Sequence, residues 1–215
     1  MIETFYYEHD DDKLTFLAKH WINQNGSKGG IVAFNVDIHP SAVIEKEAVI
    51  YPDTTFFGKV IIKEGAIIKG GATINRGSTI GQNSVIGENV YIGEEVHIGN
   101  NVSIDEITAI RERTEILNNV TIGSNVSIRT DCKIGNNVNI LNNARIGNGV
   151  EVYPDSSIAN DIILPDKAIV SGDCTGIFNY RFVEIEPARI RTNPDGWERG
   201  IVAISADIHP SAVSD

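Results

Sequence analysis

The chain has 215 residues and a formal net charge of -11. That acidity excludes a nucleic-acid surface, which needs a basic stripe against the phosphate backbone. No apolar run approaches the roughly eighteen residues of a membrane-spanning helix, and two cysteines, Cys132 and Cys174, make neither a disulfide framework nor a CxxC metal pair.

At the N-terminus, "MIETFYYEHDDDK" is acidic where a signal peptide is basic and then apolar. With both cysteines read as small buried apolar residues, the expectation is a cytoplasmic protein. Residues 10–25 then place Leu14, Leu17, Ala18, Trp21 and Ile22 at helical spacing, after an aspartate run and before Gly26. This spacing predicts an amphipathic helix in an N-terminal cap over residues 1–30, shielding whatever follows.

From Ile38 onward an apolar residue returns at every sixth position, through Ile80, Ile98 and Ile116 to Val170, without a polar substitution. A helix of 3.6 residues per turn would scatter this set, and a lone strand needs a period of two. Four residues after each aliphatic comes a small or β-branched residue, such as Ala42, Ala48, Ser78 or Val96. Just before that position stand Gly65, Gly71, Gly77, Asn83, Asn89, Asn101 and others of the two types that best tolerate positive φ. Each hexad is therefore a short strand followed by a sharp turn.

This pattern, which covers residues 37 to about 174, resembles the hexapeptide-repeat acyltransferase superfamily. The resemblance implies an all-β fold, a left-handed parallel β-helix of seven to eight triangular coils over residues 31–174. Eighteen residues make one coil in that family, so residues eighteen apart stack one strand spacing apart, roughly 4.8 Å. The "DIHPSA" of His39 is similar to the phrase that opens the β-helix of serine acetyltransferases, and it gives His39 and His209 turn or capping roles. "LPDKAIVSGD" (Leu164 to Asp173) resembles the last coil of family acetyltransferases.

Within the coils, His97 immediately precedes inward Ile98 and so faces outward. Stacking places Thr79 on one side of it and Glu115 on the other, with Lys133 beyond. An outward imidazole one strand spacing from a carboxylate is a candidate general base with its orienting partner. "VHIGNN" resembles the histidine-bearing segment of bacterial sugar N-acetyltransferases, although their "HD" pair a few residues earlier is replaced here by "VIGENVYIG". In trimeric members the catalytic histidine lies on the outer face at a subunit boundary and deprotonates a hydroxyl or amine that attacks acetyl-CoA. The resemblance thus implies His97 and Glu115 as catalytic residues, with acetyl-CoA or another acyl-CoA as co-substrate. γ-Class carbonic anhydrases share the fold but hold zinc with three histidines, and His97 stands alone in the regular coils beyond the opening turn, so no metal is expected. Nearby, Ile107 and Arg113 occupy turn positions that elsewhere carry Asn or Gly, which predicts a strained or bulged corner. Asp105, Glu106, Arg111 and Glu112 gather beside it.

Outward positions of the early coils are apolar at Val43, Val49, Ile61, Ile67 and Val85, with Phe57 nearby. Such faces suggest subunit packing, and the family is commonly trimeric, so a homotrimer is expected; the alternative is that the N-terminal cap folds over this patch. Residues 175–215 lose the period and hold Phe178, Tyr180, Phe182 and Trp197, as a packed loop or hairpin would, together with "EPARIR", similar to an exit segment of family enzymes. The segment "GIVAFNVDIHPSAV" (Gly30 to Val43) also returns there as "GIVAISADIHPSAV" (Gly200 to Val213). It marks either a second module or a segment with structural work in this chain. Two functions follow from these features. One is a CoA-dependent acyltransferase acting on a sugar or another small amine or hydroxyl acceptor, and the other is a non-catalytic β-helix serving as scaffold or assembly module.

Overall fold

The computed structural model describes residues 4–8 and 14–175. The expected C-terminal loop or hairpin, the repeated Gly200 to Val213 and His209 lie outside the described residues. Within them the chain is an all-β, left-handed parallel β-helix with three faces, sheets of 11, 8 and 8 strands. Between Ile31 and Val170 successive strands visit the faces in rotation, each pairing with the strand eighteen residues away, as Ile80 does with Ile62 and Ile98, and Ile98 with Ile116. The last strand, Asp173–Cys174, pairs with Ser157–Ile158 at sixteen. Face A carries the outward residues Val49, Ile67, Val85 and Ser103. Face B carries Asp37, Thr55, Thr73, Tyr91, Ala109, Ser127, Arg145 and Ile163. Face C carries Val43, Ile61, Thr79, His97, Glu115, Lys133, Glu151 and Ile169.

The aliphatic of each hexad points into the core. Ile62, Ile80, Ile116 and Ile134 are all at most 1% exposed, and each lies between aliphatic residues of the coils on either side. Burial of each contributes about 1.5–3 kcal/mol. The small residues four positions later are buried at the corners, and several carry hydroxyls with a defined task. Ser78 Oγ donates to Gly93 O (2.7 Å) and accepts from Val96 N (3.0 Å), so one side chain closes two backbone groups of the next coil. Ser84 and Thr108 repeat the arrangement, and Cys132 Sγ, 3.0 Å from Gly147 O, stands where a hydroxyl otherwise would. Ser78→Ala is expected to lower unfolding stability by about 1–3 kcal/mol by orphaning buried partners; an unchanged denaturation midpoint would show that the corner relaxes instead.

The predicted helical cap is corrected. Two antiparallel strands precede the coils, β1 (Thr4–Glu8) and β2 (Thr15–Ile22), and β2 pairs with β3 (Lys28–Ala33), itself paired in parallel with the next coil at Val49–Ile50. Along β2 burial alternates: Phe16 and Ala18 are buried, whereas Leu17 and the preceding Leu14, which helical spacing would bury, are 37% and 46% exposed. The open edge of the first coil offers unpaired backbone groups, and extended strands satisfy them directly where a helix cannot. Where the first coil has no coil beneath it, Asn23 takes over: its side chain accepts from Ile44 N and donates to Ile44 O, both at 3.0 Å. Trp21 packs against the core and its Nε1 donates to Ala42 O (3.3 Å). Gly30 is required where β3 passes the next coil, because a Cβ there would overlap Ala48 O.

The hairpin also covers part of the apolar outer patch. Phe16 lies 5.2 Å from the Tyr51 ring, and Val49 is only 5% exposed beneath them. Val43, Ile61, Ile67 and Val85 remain partly exposed, with Phe57 at 53%.

Candidate active site on an outer face

Face C is a graded ladder. Its outward residues run from apolar Val43 and Ile61 through Thr79 and His97 to charged Glu115, Lys133 and Glu151. The period of six places them there, since each precedes an inward aliphatic by one residue. His97 and Glu115 are exposed register partners on adjacent coils, so their backbones stand roughly 4.8 Å apart. No hydrogen bond joins the two side chains. Lys133, the cation beyond, is 3.9 Å from Glu151 on its other side. Glu115 has no ion pair among the described residues, which leaves its carboxylate available to an imidazole that gains a proton.

The two corners that precede Glu115 in the chain carry the expected anomaly without the expected bulge. Ile107 and Arg113 adopt φ of 60° and 56°, in line with Asn89, Asn101, Asn119 and Asn125 at 54–59°. Their amides keep the corner ladder, Ile107 N to Glu88 O and Arg113 N to Glu94 O, both 2.9 Å. The ladder forces the left-handed conformation on a β-branched residue, Ile107, whose side chain is 62% exposed. Ile107→Asn is therefore expected to raise stability by about 1–2 kcal/mol, read from the urea midpoint; a drop would mean that Ile107 packs against something.

Arg113 makes a bidentate pair with Asp131, at 2.7 and 2.9 Å. Its hydrogen bonds hold the Asp131 carboxyl below the ordinary aspartate range, and Asp131 in turn raises Arg113. A depressed carboxyl stabilises the fold above its unfolded pKa, and this contribution fades as pH falls through the folded value. Both partners are solvent-exposed, so the effect is small. Asp105 and Glu106 lie at a different corner, between faces A and B, and do not join this group.

His39 sits in its turn as a capping residue. Its Nδ1 accepts from Ser41 N (3.2 Å) and contacts Ser41 Oγ (2.7 Å). Both cysteines are free, with Cys132 fully buried, and burial raises both thiols above their ordinary pKa. No cluster of three His, Cys, Asp or Glu side chains that could hold a metal occurs among the described residues. No described helix is long and apolar enough to cross a membrane.

The model of one protein family, described as the GMPPB C-terminal domain, matches residues 68–176. No curated protein matches the chain in sequence. Among solved structures the chain is similar to the UDP-N-acetylglucosamine acyltransferase of Francisella novicida, at 20% identity over 61% of this chain and 57% of that one, with a TM-score of 0.48. The UDP-N-acetylglucosamine acyltransferase of Campylobacter jejuni matches at 18% identity over 66% of this chain and 71% of that one, with a TM-score of 0.39. These likenesses are of fold, and the chain spans 57% of the length of the Francisella enzyme.

Proposed function

The chain belongs to the GMPPB C-terminal domain family, within the wider hexapeptide-repeat superfamily, and from that premise we propose that it is a CoA-dependent acyltransferase. The acceptor is a hydroxyl or amine of a sugar or another small molecule. The observation that carries this reading is the His97–Glu115 register pair, exposed on a flat face with Lys133 drawn toward Glu151. A neutral imidazole removes the proton from the acceptor as its oxygen or nitrogen attacks the thioester carbonyl. The tetrahedral adduct then collapses, the carbon–sulfur bond breaks, and the thiolate leaves with the proton returned by the imidazolium. Glu115 orients the ring and stabilises its transient charge, the task of a carboxylate beside a catalytic histidine.

Three copies packed through the exposed remainder of the apolar patch, Val43, Ile61, Ile67 and Val85 with Phe57, would turn an open face into a cleft between subunits. Ile61→Glu is then expected to yield monomers by light scattering, and a monomeric wild type would refute the trimer. A thermal-shift screen with acetyl-CoA, longer acyl-CoAs and CoA tests the donor, because a ligand bound only to the folded state raises its melting temperature. A second reading, a non-catalytic assembly module, is favoured by one feature. The coils run from Ile38 to Val170 with no inserted loop to close over a substrate. Failure of every CoA compound to shift melting would replace the first reading with this one.

A further inference from the structure

On face B the repeat departs from its own pattern in a concentrated way. The residue after the inward aliphatic is glycine in many hexads, including Gly81, Gly87, Gly93 and Gly99, but it is Arg111 and then Arg129 on two successive coils of this face. Their amides bond Ile128 O (2.8 Å) and Ile146 O (3.0 Å), so the two guanidinium-bearing residues stack directly, roughly 4.8 Å apart at the backbone. One coil further, Arg145 stands opposite Ser127, two residues before Arg129. All three arginines are exposed. Between them the outward positions are small, Ala109 and Ser127, which leaves a shallow floor. Tyr91 borders that floor from below, and the Arg111 guanidinium lies over its ring at 5.0 Å.

Five outward cations elsewhere have an acid partner one coil away: Lys46 with Glu64, Lys63 with Glu45, Arg76 with Glu94, Arg113 with Asp131 and Lys133 with Glu151. Arg111, Arg129 and Arg145 form no ion pair among the described residues. Asp166, hydrogen-bonded by the amide and side chain of Asn148 at 2.7–3.0 Å, feels the Arg129 charge but makes no ion pair with it. Like charges stacked directly on a sheet repel, in a chain whose net charge is -11. Cation–π contact restrains the Arg111 group and leaves its outer edge free. Ile107, the strained corner residue two positions before Ala109, gives the opposite rim an apolar shoulder.

From this placement we infer that face B, between Tyr91 and Arg145, is a binding site for a phosphoryl-bearing small molecule held by Arg111, Arg129 and Arg145. Guanidinium forks match the tetrahedral oxygens of a phosphate in bidentate fashion, and a multiply charged anion neutralises several of them at once. The site lies on a different face from His97 and does not depend on the acyltransferase reading.

Titration calorimetry at low salt with inorganic pyrophosphate and with ADP, on the full chain, tests it. Both probes are expected to bind, with affinity falling as salt rises. Arg129→Gln and Arg145→Gln should each weaken binding by roughly ten-fold or more, without changing the melting temperature. Arg76→Gln and His97→Ala should leave binding unchanged. Tighter binding of ADP that is lost in Tyr91→Ala identifies a nucleotide, whereas equal binding of both probes identifies the phosphate group alone as the determinant. Absence of binding by either probe overturns the inference. So does binding that survives both arginine substitutions, or a face that takes polyglutamate but neither phosphate compound.

Discussion

Replacing His97 with alanine is expected to cut acyl transfer by about 10²–10⁴-fold, the usual contribution of a positioned general base. The melting temperature should stay nearly unchanged, because an exposed side chain without hydrogen-bond partners contributes within about 0.5 kcal/mol. The two readouts separate because fold and chemistry use opposite sides of the same strand. Ile98 faces the core, while His97 faces out. Glu115→Gln should cost less, since it removes the orienting charge but leaves the base. Lys133→Met should matter little, because that ammonium sits against Glu151 at 3.9 Å. A trimer that binds acetyl-CoA and retains full transfer after His97→Ala would remove His97 from the mechanism.

The coils were legible in the sequence because every hexad repeats the same physical demand. An inward aliphatic, a small corner residue and a residue that tolerates positive φ recur together, and stacking by eighteen follows from three such units per coil. That arithmetic alone sets His97 beside Glu115, and the ladder pairs them accordingly. The N-terminal cap was not legible in the same way. In "LTFLAKHWI" the helical set Leu14, Leu17, Ala18, Trp21, Ile22 competes with the alternating set Phe16, Ala18, and the sequence contains both. What decides between them is not local: β3 offers an edge, and Val49 and Tyr51 offer an apolar surface, well downstream in the chain. Ile107 shows the converse. Its side chain disfavours the left-handed region, yet coils on both sides hold the corner ladder, so cooperative backbone pairing overrides a local cost of about 1–2 kcal/mol. The same stacking arithmetic sets Arg111 on Arg129 and Arg145 above Ser127, but it does not say which cations find an acid partner. That these three form no ion pair while Arg76, Arg113 and Lys133 do depends on side-chain reach and appears only in the structure.

Ile86→Ala is expected to be among the most damaging conservative changes in this chain, near the upper end of the roughly 2–5 kcal/mol range for such truncations. Ile86 is fully buried and lies between Ile68 and Ile104 on face A. Most cores soften this loss by collapsing into the void. Here collapse is opposed from both sides, because the backbone is tied to the coil below by Lys69 N to Ile86 O (2.8 Å) and to the coil above by Gly87 N to Ile104 O (2.7 Å). Gly87 adds a further constraint: an atom at its Cβ position would lie 2.7 Å from Ile104 O, so the coils already meet as closely as the backbone allows. The cavity should therefore persist. In a stacked repeat each coil is stabilised mainly through its two neighbours, so a mid-stack void weakens both interfaces at once. Ile38→Ala provides the comparison. Ile38 belongs to the first coil and is only partly buried, so its truncation should cost visibly less. Urea denaturation of the two variants measures the difference through their midpoints at a common slope. Equal losses would mean that the coils do not share load as neighbours and that the stack melts from its ends independently of its middle.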